Sequence, residues 1–314
     1  MKIVIIGSGA VGLGLAAFLI KDKNDVYLFA KGSTKHALES EGFRVNGIFG
    51  EFKYQSNDFK IIENYEDIES DTDYILITTK TLANREISEN LCKIKDKIKN
   101  TKLVVIQNGW GNSETYLTCF NEENVFTSRI ITGFYRKSKN DIEITVHADS
   151  MALGNIFKKE LSNSLSDLAN SLNNGGFDAK ISEDVDKHLW AKMLYNCALN
   201  PLGAILNVEY GKLAENEYSK NIMNKIIEEI YSVMDAIKMS TFWEKDHYIK
   251  LFYEKLIPTT YSHKSSMLQD LTNKRPTEID SLNGIVVNLA KEYKKSVPFN
   301  EFVVDIIKSK EKLF

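Results

Sequence analysis

The stretch from Lys2 to Lys21, "KIVIIGSGAVGLGLAAFLIK", decides the fold. It admits two readings. Ile3 to Ile20 are eighteen uncharged residues behind a lysine, the length of a short membrane span or of the apolar part of a leader peptide. Yet "AAFLIKDKND" offers no convincing cleavage site, and glycines at 7, 9, 12 and 14 are poor filling for an apolar span. A buried strand, a tight turn and a packed helix explain the same residues. The next strand, "DVYLF" at 25–29, then arrives on schedule. Gly7, Gly9 and Gly12 stand in the G-x-G-x-x-G spacing, which in a strand–turn–helix–strand setting marks a dinucleotide-binding turn. Gly7 makes the turn, Gly9 admits the pyrophosphate, and Gly12 lets helix and strand pack closely. The helix start offers free N–H groups to phosphate. The expected cofactor-binding residues are therefore Gly7, Ser8, Gly9, Ala10, Val11 and Gly12. A ligand-free glycine turn is the competing reading.

The end of the second strand reads the cofactor's ribose. An NAD-type site places an acid there for the 2′-hydroxyl. Here "FAKGSTKHA" follows, with no acid from Val26 to Leu38, and Lys31, Ser33 and Thr34 in its place. A cation and small hydroxyls suit a 2′-phosphate, so the expected cofactor is NADPH/NADP; an ordinary solvated lysine is the plainer account. Further strands are expected at 74–80, 103–109, 125–134, 142–148 and 151–155. Their Val, Ile and Leu runs suit a sheet covered on both faces. Lys80 and Asn108 fall at the carboxyl ends of two of these strands, where open α/β sheets bind ligands. Asn-Gly is also a favoured turn pair, so Asn108 alone leaves that choice open.

The 314 residues suggest two domains. The apolar and charged fractions, 43% and 26%, are those of a globular chain. A net charge of −3, with lysine and glutamate mixed, offers no basic block for nucleic acid or a membrane surface. Three scattered cysteines, Cys92, Cys119 and Cys197, suggest no disulfide framework and fit a reducing cytoplasm. The five histidines show no metal-ligand spacing. The sequence leaves the oligomeric state open, with a homodimer as the assembly to consider.

"NNGGFDAKI" at 173–181 reads as a hinge, after which the periodicity is helical throughout. The expected division is an α/β doubly wound Rossmann domain over 1–181 and an all-helical substrate and catalytic domain over 182–314. Within "HLWAKMLYNCALNPLGAIL" the polar side chains Lys192, Asn196 and Asn200 are four apart and so share a helix face. A solvated stripe is the plain reading, but two asparagines and one lysine make a narrow one, and a line of donors facing a ligand fits better. Pro201 is expected to kink this helix. Late in the chain, "RPTEIDSLNGIVVNLAKEY" suggests a helix with Pro276 near its first turn. Glu278 would then head an apolar stripe with Leu282, Ile285 and Leu289, while Asp280, Asn283, Val287 and Lys291 form a wetter face; an acid favoured in the first turn by the helix dipole is the plain reading of this segment alone.

These motifs, in order over essentially the whole chain, resemble those of the 2-dehydropantoate 2-reductases, or ketopantoate reductases: "GSGAVG", Lys31, "TTK" at 78–80, "QNG" at 107–109, "WAKMLYNCALNPL" at 190–202 and "SSMLQD…RPTEID" at 265–280. The resemblance implies NADPH-dependent reduction of a small 2-oxo acid, ketopantoate, within pantothenate biosynthesis. It implies a catalytic role for Lys192 and a catalytic or substrate-binding role for Glu278. It implies substrate contacts for Asn108, Asn196, Asn200 and Ser266, a place for Asn108 near the nicotinamide, and phosphate contacts for Lys31 and Lys80. Ala83 stands where the family often has a polar residue, commonly Gln, a departure that bears on one phosphate contact and not on the cofactor class. The alternatives are a reductase of another 2-oxo acid and a non-catalytic NADPH-binding protein.

Overall fold

The computed structural model describes residues 1–313; Phe314, the last residue of the expected helical region, lies outside them. The chain forms two compact units, one of residues 1–107 with 112–185 and one of residues 108–111 with 186 onward.

The first unit is built on one sheet. Strands β1 (Lys2–Ile6), β2 (Asp25–Phe29), β6 (Tyr74–Ile77) and β7 (Lys102–Val105) run parallel at its centre. With β3 (Phe43–Gly47), β4 (Phe52–Tyr54), β5 (Lys60–Ile62), β8 (Val125–Arg136) and β9 (Asp141–Gly154), the order is β4-β3-β9-β8-β7-β6-β1-β2-β5. A tenth strand, β10 (Ala179–Ile181), pairs with β9. Alternation along the central strands feeds two cores. Ile3, Ile5, Leu76 and Val104 face the cluster that includes Leu15 and Phe18 of α1 (Ala10–Lys21) and Leu168 and Leu172 of α4 (Ser166–Gly175). Val4, Ile6, Ile77 and Val105 face the cluster that includes Ile87 and Leu91 of α3 (Asn84–Lys93). Helices therefore cover both faces, as a doubly wound sheet requires. The stretch that opens the chain is a strand and a helix, and among the described residues no helix is long and apolar enough to cross a membrane.

Three expectations are corrected here. The segments 142–148 and 151–155 are one strand, β9, paired antiparallel with a bulged β8. The supposed hinge at 173–181 is the close of α4 and the start of β10. Gly176 caps the helix in the left-handed region, Phe177 is fully buried, and the Asn173 side chain bonds both backbone groups of Ala179. Glycines at a helix end serve capping as well as flexibility. Finally, Cys92 and Cys119 form a disulfide that ties the end of α3 to the loop after β7. Their separation of 27 residues hid the pairing from a search for close spacing. Cys197 is free and buried.

The second unit contains no strand among its described residues. Its principal helices are α5 (Val185–Leu206), α6 (Tyr210–Glu215), α7 (Glu217–Ala236), α8 (Lys245–Leu251), α9 (Ile257–Thr259), α10 (Ser266–Thr272), α11 (Asn283–Glu292) and α12 (Pro298–Lys312). On α7, Met223, Ile226, Ile227, Ile230, Val233 and Met234 are buried, the stripe expected of a helix with one apolar face. Helix α5 runs through Pro201 without a break. Proline cannot donate to the carbonyl four residues back. The Cys197 carbonyl instead accepts from Asn283 Nδ2 at 3.1 Å, and Asn283 is itself held by Asn300 Oδ1 at 3.0 Å. A buried amide thus supplies the bond that the proline removes.

Candidate active site

The candidate site of the sheet unit is made of backbone. Gly7 has φ +116°, and a Cβ there would lie 2.7 Å from the Thr79 nitrogen. A Cβ on Gly12 would lie 2.0 Å from the Gly7 carbonyl oxygen, so the turn closes only without side chains at both positions. Above Gly9 nothing lies within 4 Å. Gly9 caps α1 without a side-chain bond, and the first turn of that helix holds no acid. The result is an open cradle at a helix N-terminus, the arrangement that receives a pyrophosphate. Thr78 Oγ1 fixes the Gly7 carbonyl at 2.8 Å, and the Ser8 hydroxyl donates to the Phe29 carbonyl at 2.9 Å. Ser8 is therefore a brace between β1 and β2. Ala10 and Val11 open the helix and are half-buried. The turn fits a dinucleotide.

Around it, Lys31 precedes α2 (Gly32–Glu41), exposed, with its ammonium 5.2 Å from the Phe29 ring and 6.0 Å from that of Tyr65. Lys80 is exposed at the entrance of a short 3₁₀ turn, Thr81–Ala83.

A separate cluster in the helical unit is made of side chains. Lys192 Nζ donates to Asn108 Oδ1 at 2.7 Å, and Asn108 Nδ2 donates to Glu278 Oε2 at 3.1 Å. The three residues are half-buried, and they come from α5, from the loop after β7 and from the turn before α11. An ammonium and a carboxylate share one amide, whose two ends suit their opposite charges. Such charge-assisted bonds are stronger than neutral ones.

Glu278 reaches this place differently from the sequence expectation. The helix does not start near Pro276. Residues Ile279–Ser281 form a 3₁₀ turn with Glu278 just before it, and α11 begins only at Asn283. The expected faces hold only in part: Leu282 is buried and Asp280 and Lys291 are exposed, but Asn283 and Val287 are buried while Ile285 and Leu289 are half-buried. The shift in helix start rotates the register, so the three-four spacing was counted from the wrong residue. Asp280, on the exposed side, pairs with Lys308.

Of the remaining expected residues, Asn196 and Asn200 are both buried on α5. Asn200 Oδ1 accepts from the Tyr210 hydroxyl at 2.5 Å, and its carbonyl accepts from Ser265 Oγ at 3.2 Å. Burial pushes the Tyr210 hydroxyl well above its ordinary pKa, so it stays a donor. Ser266 is exposed as the first residue of α10; the fully buried serine is Ser265, which caps that helix through Leu268 N–H at 3.0 Å. Sequence reasoning passed over Ser265, Tyr210 and Asn283, although Ser265 carried a signal as a serine three residues before an apolar helix residue.

Sheet, glycine turn and lysine-bearing helix together define a class, the dinucleotide-dependent oxidoreductases. Within it the sequence falls in one family. Residues 3–156 match ketopantoate reductase PanE/ApbA and residues 184–311 match its C-terminal part; the chain belongs to the ketopantoate reductase family. It is 38% identical over 313 residues to the 2-dehydropantoate 2-reductase of Aquifex aeolicus, covering 99% of this chain and 97% of that one. Its fold is similar to that of a PanE/ApbA family ketopantoate reductase from Ralstonia eutropha, with a TM-score of 0.85, 24% identity and 99% of each chain covered. It is similar too to a D-mandelate dehydrogenase solved with NADH and anilino(oxo)acetate, with a TM-score of 0.86, 23% identity and 99% of each chain covered. The chain is thus an oxidoreductase acting on a 2-oxo acid.

Proposed function

We propose that this chain reduces 2-dehydropantoate (ketopantoate) to pantoate with NADPH, a step of pantothenate and coenzyme A biosynthesis. Residues 1–181 hold the dinucleotide and residues 182–314 hold the oxo acid. The observation that carries the reading is the Lys192–Asn108–Glu278 arrangement in a family member whose glycine turn is open for a pyrophosphate. When bound, the cofactor supplies a hydride for the C2 ketone. The protein must then meet negative charge on the ketone oxygen and deliver a proton. The Lys192 ammonium does both, and Asn108 holds it in place. Glu278 accepts from the substrate hydroxyl, and Asn196, Asn200 and Ser266 fix the acid so that its carbonyl carbon is oriented for attack. Lys31 and Lys80 bind the adenosine phosphate, which sets the preference for NADPH.

A second reading comes from the fold shared with the mandelate enzyme: reduction of a different 2-oxo acid, with NADH. Steady-state turnover of ketopantoate and a panel of aliphatic and aromatic 2-oxo acids, each with NADPH and NADH, decides between them. The highest kcat/KM is expected for ketopantoate with NADPH. A higher value for an aromatic oxo acid would move the substrate assignment, and no turnover of any acid would leave a dinucleotide-binding protein without this chemistry.

A further inference from the structure

We propose that Gly109 and Trp110 are positioning residues for the proton donor, fixing Asn108 between Lys192 and Glu278. The proposal rests on the role given to Lys192 above. The chain leaves the sheet unit at Gln107, lends Asn108 to Gly111 to the helical unit, and returns at Asn112. Two attachments hold this graft. On one side, Gly109 has φ +100°, and a Cβ there would lie 2.2 Å from the Ser281 carbonyl oxygen. The Trp110 N–H donates to that same oxygen at 3.3 Å, and Ser281 Oγ donates to the Glu278 carbonyl at 3.1 Å. The graft therefore lies on the turn that carries Glu278. On the other side, the buried Trp110 ring packs on Trp190 with centroids 5.0 Å apart and planes at 37°. Trp190 is fully buried two residues before Lys192 on α5. Its indole nitrogen is buried with no hydrogen-bond partner among the described residues, so shape rather than hydrogen bonding places it.

Asn108 stands next to both attachments, and its amide bonds one group on each attached element. An asparagine on a free loop samples several rotamers. Here the backbone on its C-terminal side is docked against one partner's turn and stacked against the other partner's helix. That is the support a site needs to keep its donors within about 0.5 Å of a working geometry.

Trp110 as mere core filling makes a different prediction: its truncation would lower Tm and leave turnover alone. The test compares full-length Trp110→Ala, Trp110→Phe and Gly109→Ala with wild type in kcat, KM, the pH profile of kcat and the NADPH dissociation constant by fluorescence titration. Trp110→Ala is expected to lower kcat about 10- to 100-fold, the scale of a displacement of about an ångström, with NADPH binding unchanged. The alkaline limb of kcat should move to lower pH, because the amide no longer stabilises the charged ammonium. Gly109→Ala should give the same signature, and Trp110→Phe a weaker one. Wild-type kcat and an unmoved limb in Trp110→Ala, with a lowered Tm, would overturn the proposal. If Trp110→Ala does not fold, Trp110→Phe carries the same two outcomes. Lys192→Ala measured alongside separates the assignments. Inactive Lys192→Ala beside fully active Trp110 variants sinks the positioning alone; active Lys192→Ala sinks the donor role and this proposal with it.

Discussion

The glycine turn and the lysine cluster solve different problems with different materials. At the turn, the proposed binding is carried by the backbone. Gly7, Gly9 and Gly12 leave room because they lack side chains; six consecutive residues shape the cradle, and Thr78 braces it from another strand's end. In the helical unit, the proposed chemistry rests on side chains that are far apart in sequence. Asn108 lies 84 residues from Lys192 and 170 from Glu278. A local backbone site needs only correct torsions and a helix end, whereas a side-chain site needs several elements to hold their registers at once. The first is robust to changes elsewhere in the fold, and the second depends on its supports.

The sharpest way to break this contrast is at Lys192. A positioned acid contributes about 10²–10⁴ in rate, so Lys192→Ala should lower kcat by about that factor with NADPH affinity near wild type. Glu278→Ala should mainly raise KM for the oxo acid, because it removes binding present before and during hydride transfer. The two carboxylate and ammonium groups share Asn108, so the double variant should lose less than the two single losses combined. Strict additivity in steady-state kinetics would show that the amide does not couple them, and wild-type kcat in Lys192→Ala would remove the lysine from the mechanism.

The same contrast explains what the sequence disclosed. The spacing of the glycines exposed the turn because its whole geometry is local. Lys192 was visible as the lone cation on an apolar stretch. The Asn108–Glu278 contact was not, since no periodicity links a strand end to a turn 170 residues on. Glu278 was expected to look inward as the head of a helical stripe; it reaches Asn108 from a 3₁₀ turn instead. The short strands β3, β4, β5 and β10 escaped notice because they lack the run of consecutive apolar residues that marks β1, β2, β6 and β7. Nor could the sequence show that the carbonyl freed by Pro201 is met by Asn283, 86 residues away. Nothing in the sequence links Trp110 to Trp190; only the fold makes them a pair.

Lys31 tests the phosphate contacts proposed for the sheet unit, where it and Lys80 are the charged side chains assigned beside the local cradle. A charge-assisted bond to a 2′-phosphate strengthens binding by 10-fold or somewhat more, and an exposed lysine sits at the low end. Lys31→Ala should therefore weaken NADPH about 10-fold in a fluorescence titration and leave NADH nearly unchanged. Equal weakening of both would mean that the lysine does not read the phosphate, and that the preference, if any, is also set by backbone.

The smallest effect concerns stability and separates the units by what their titrating groups do. His147, on β9, lies between the rings of Phe49 and Phe177, with centroids 5.3 and 4.9 Å away. Its Nδ1 pairs with the Thr132 hydroxyl at 2.8 Å, and its Nε2 is buried without a partner among the described residues. Burial is the main cause that holds its pKa below 6.5, with Asp178 and Asp149 opposing and Arg129 assisting. The folded chain thus refuses a proton that the unfolded chain accepts. Unfolding free energy rises with pH wherever the unfolded state binds more protons. The contribution of His147 is complete above about pH 6.5 and is lost as pH falls below it, until the folded state also protonates. One such group changes stability by at most about 1.4 kcal/mol per pH unit in that window, and partial exposure makes the real slope smaller. Urea unfolding of wild type and His147→Asn at pH 7.5 and 5.5 measures it: the wild type should lose more stability on acidification than the variant. Since His147 lies outside the lysine cluster, the pH profile of kcat should be the same in both. Identical acid losses would show that the imidazole is protonated as easily in the fold as in the open chain.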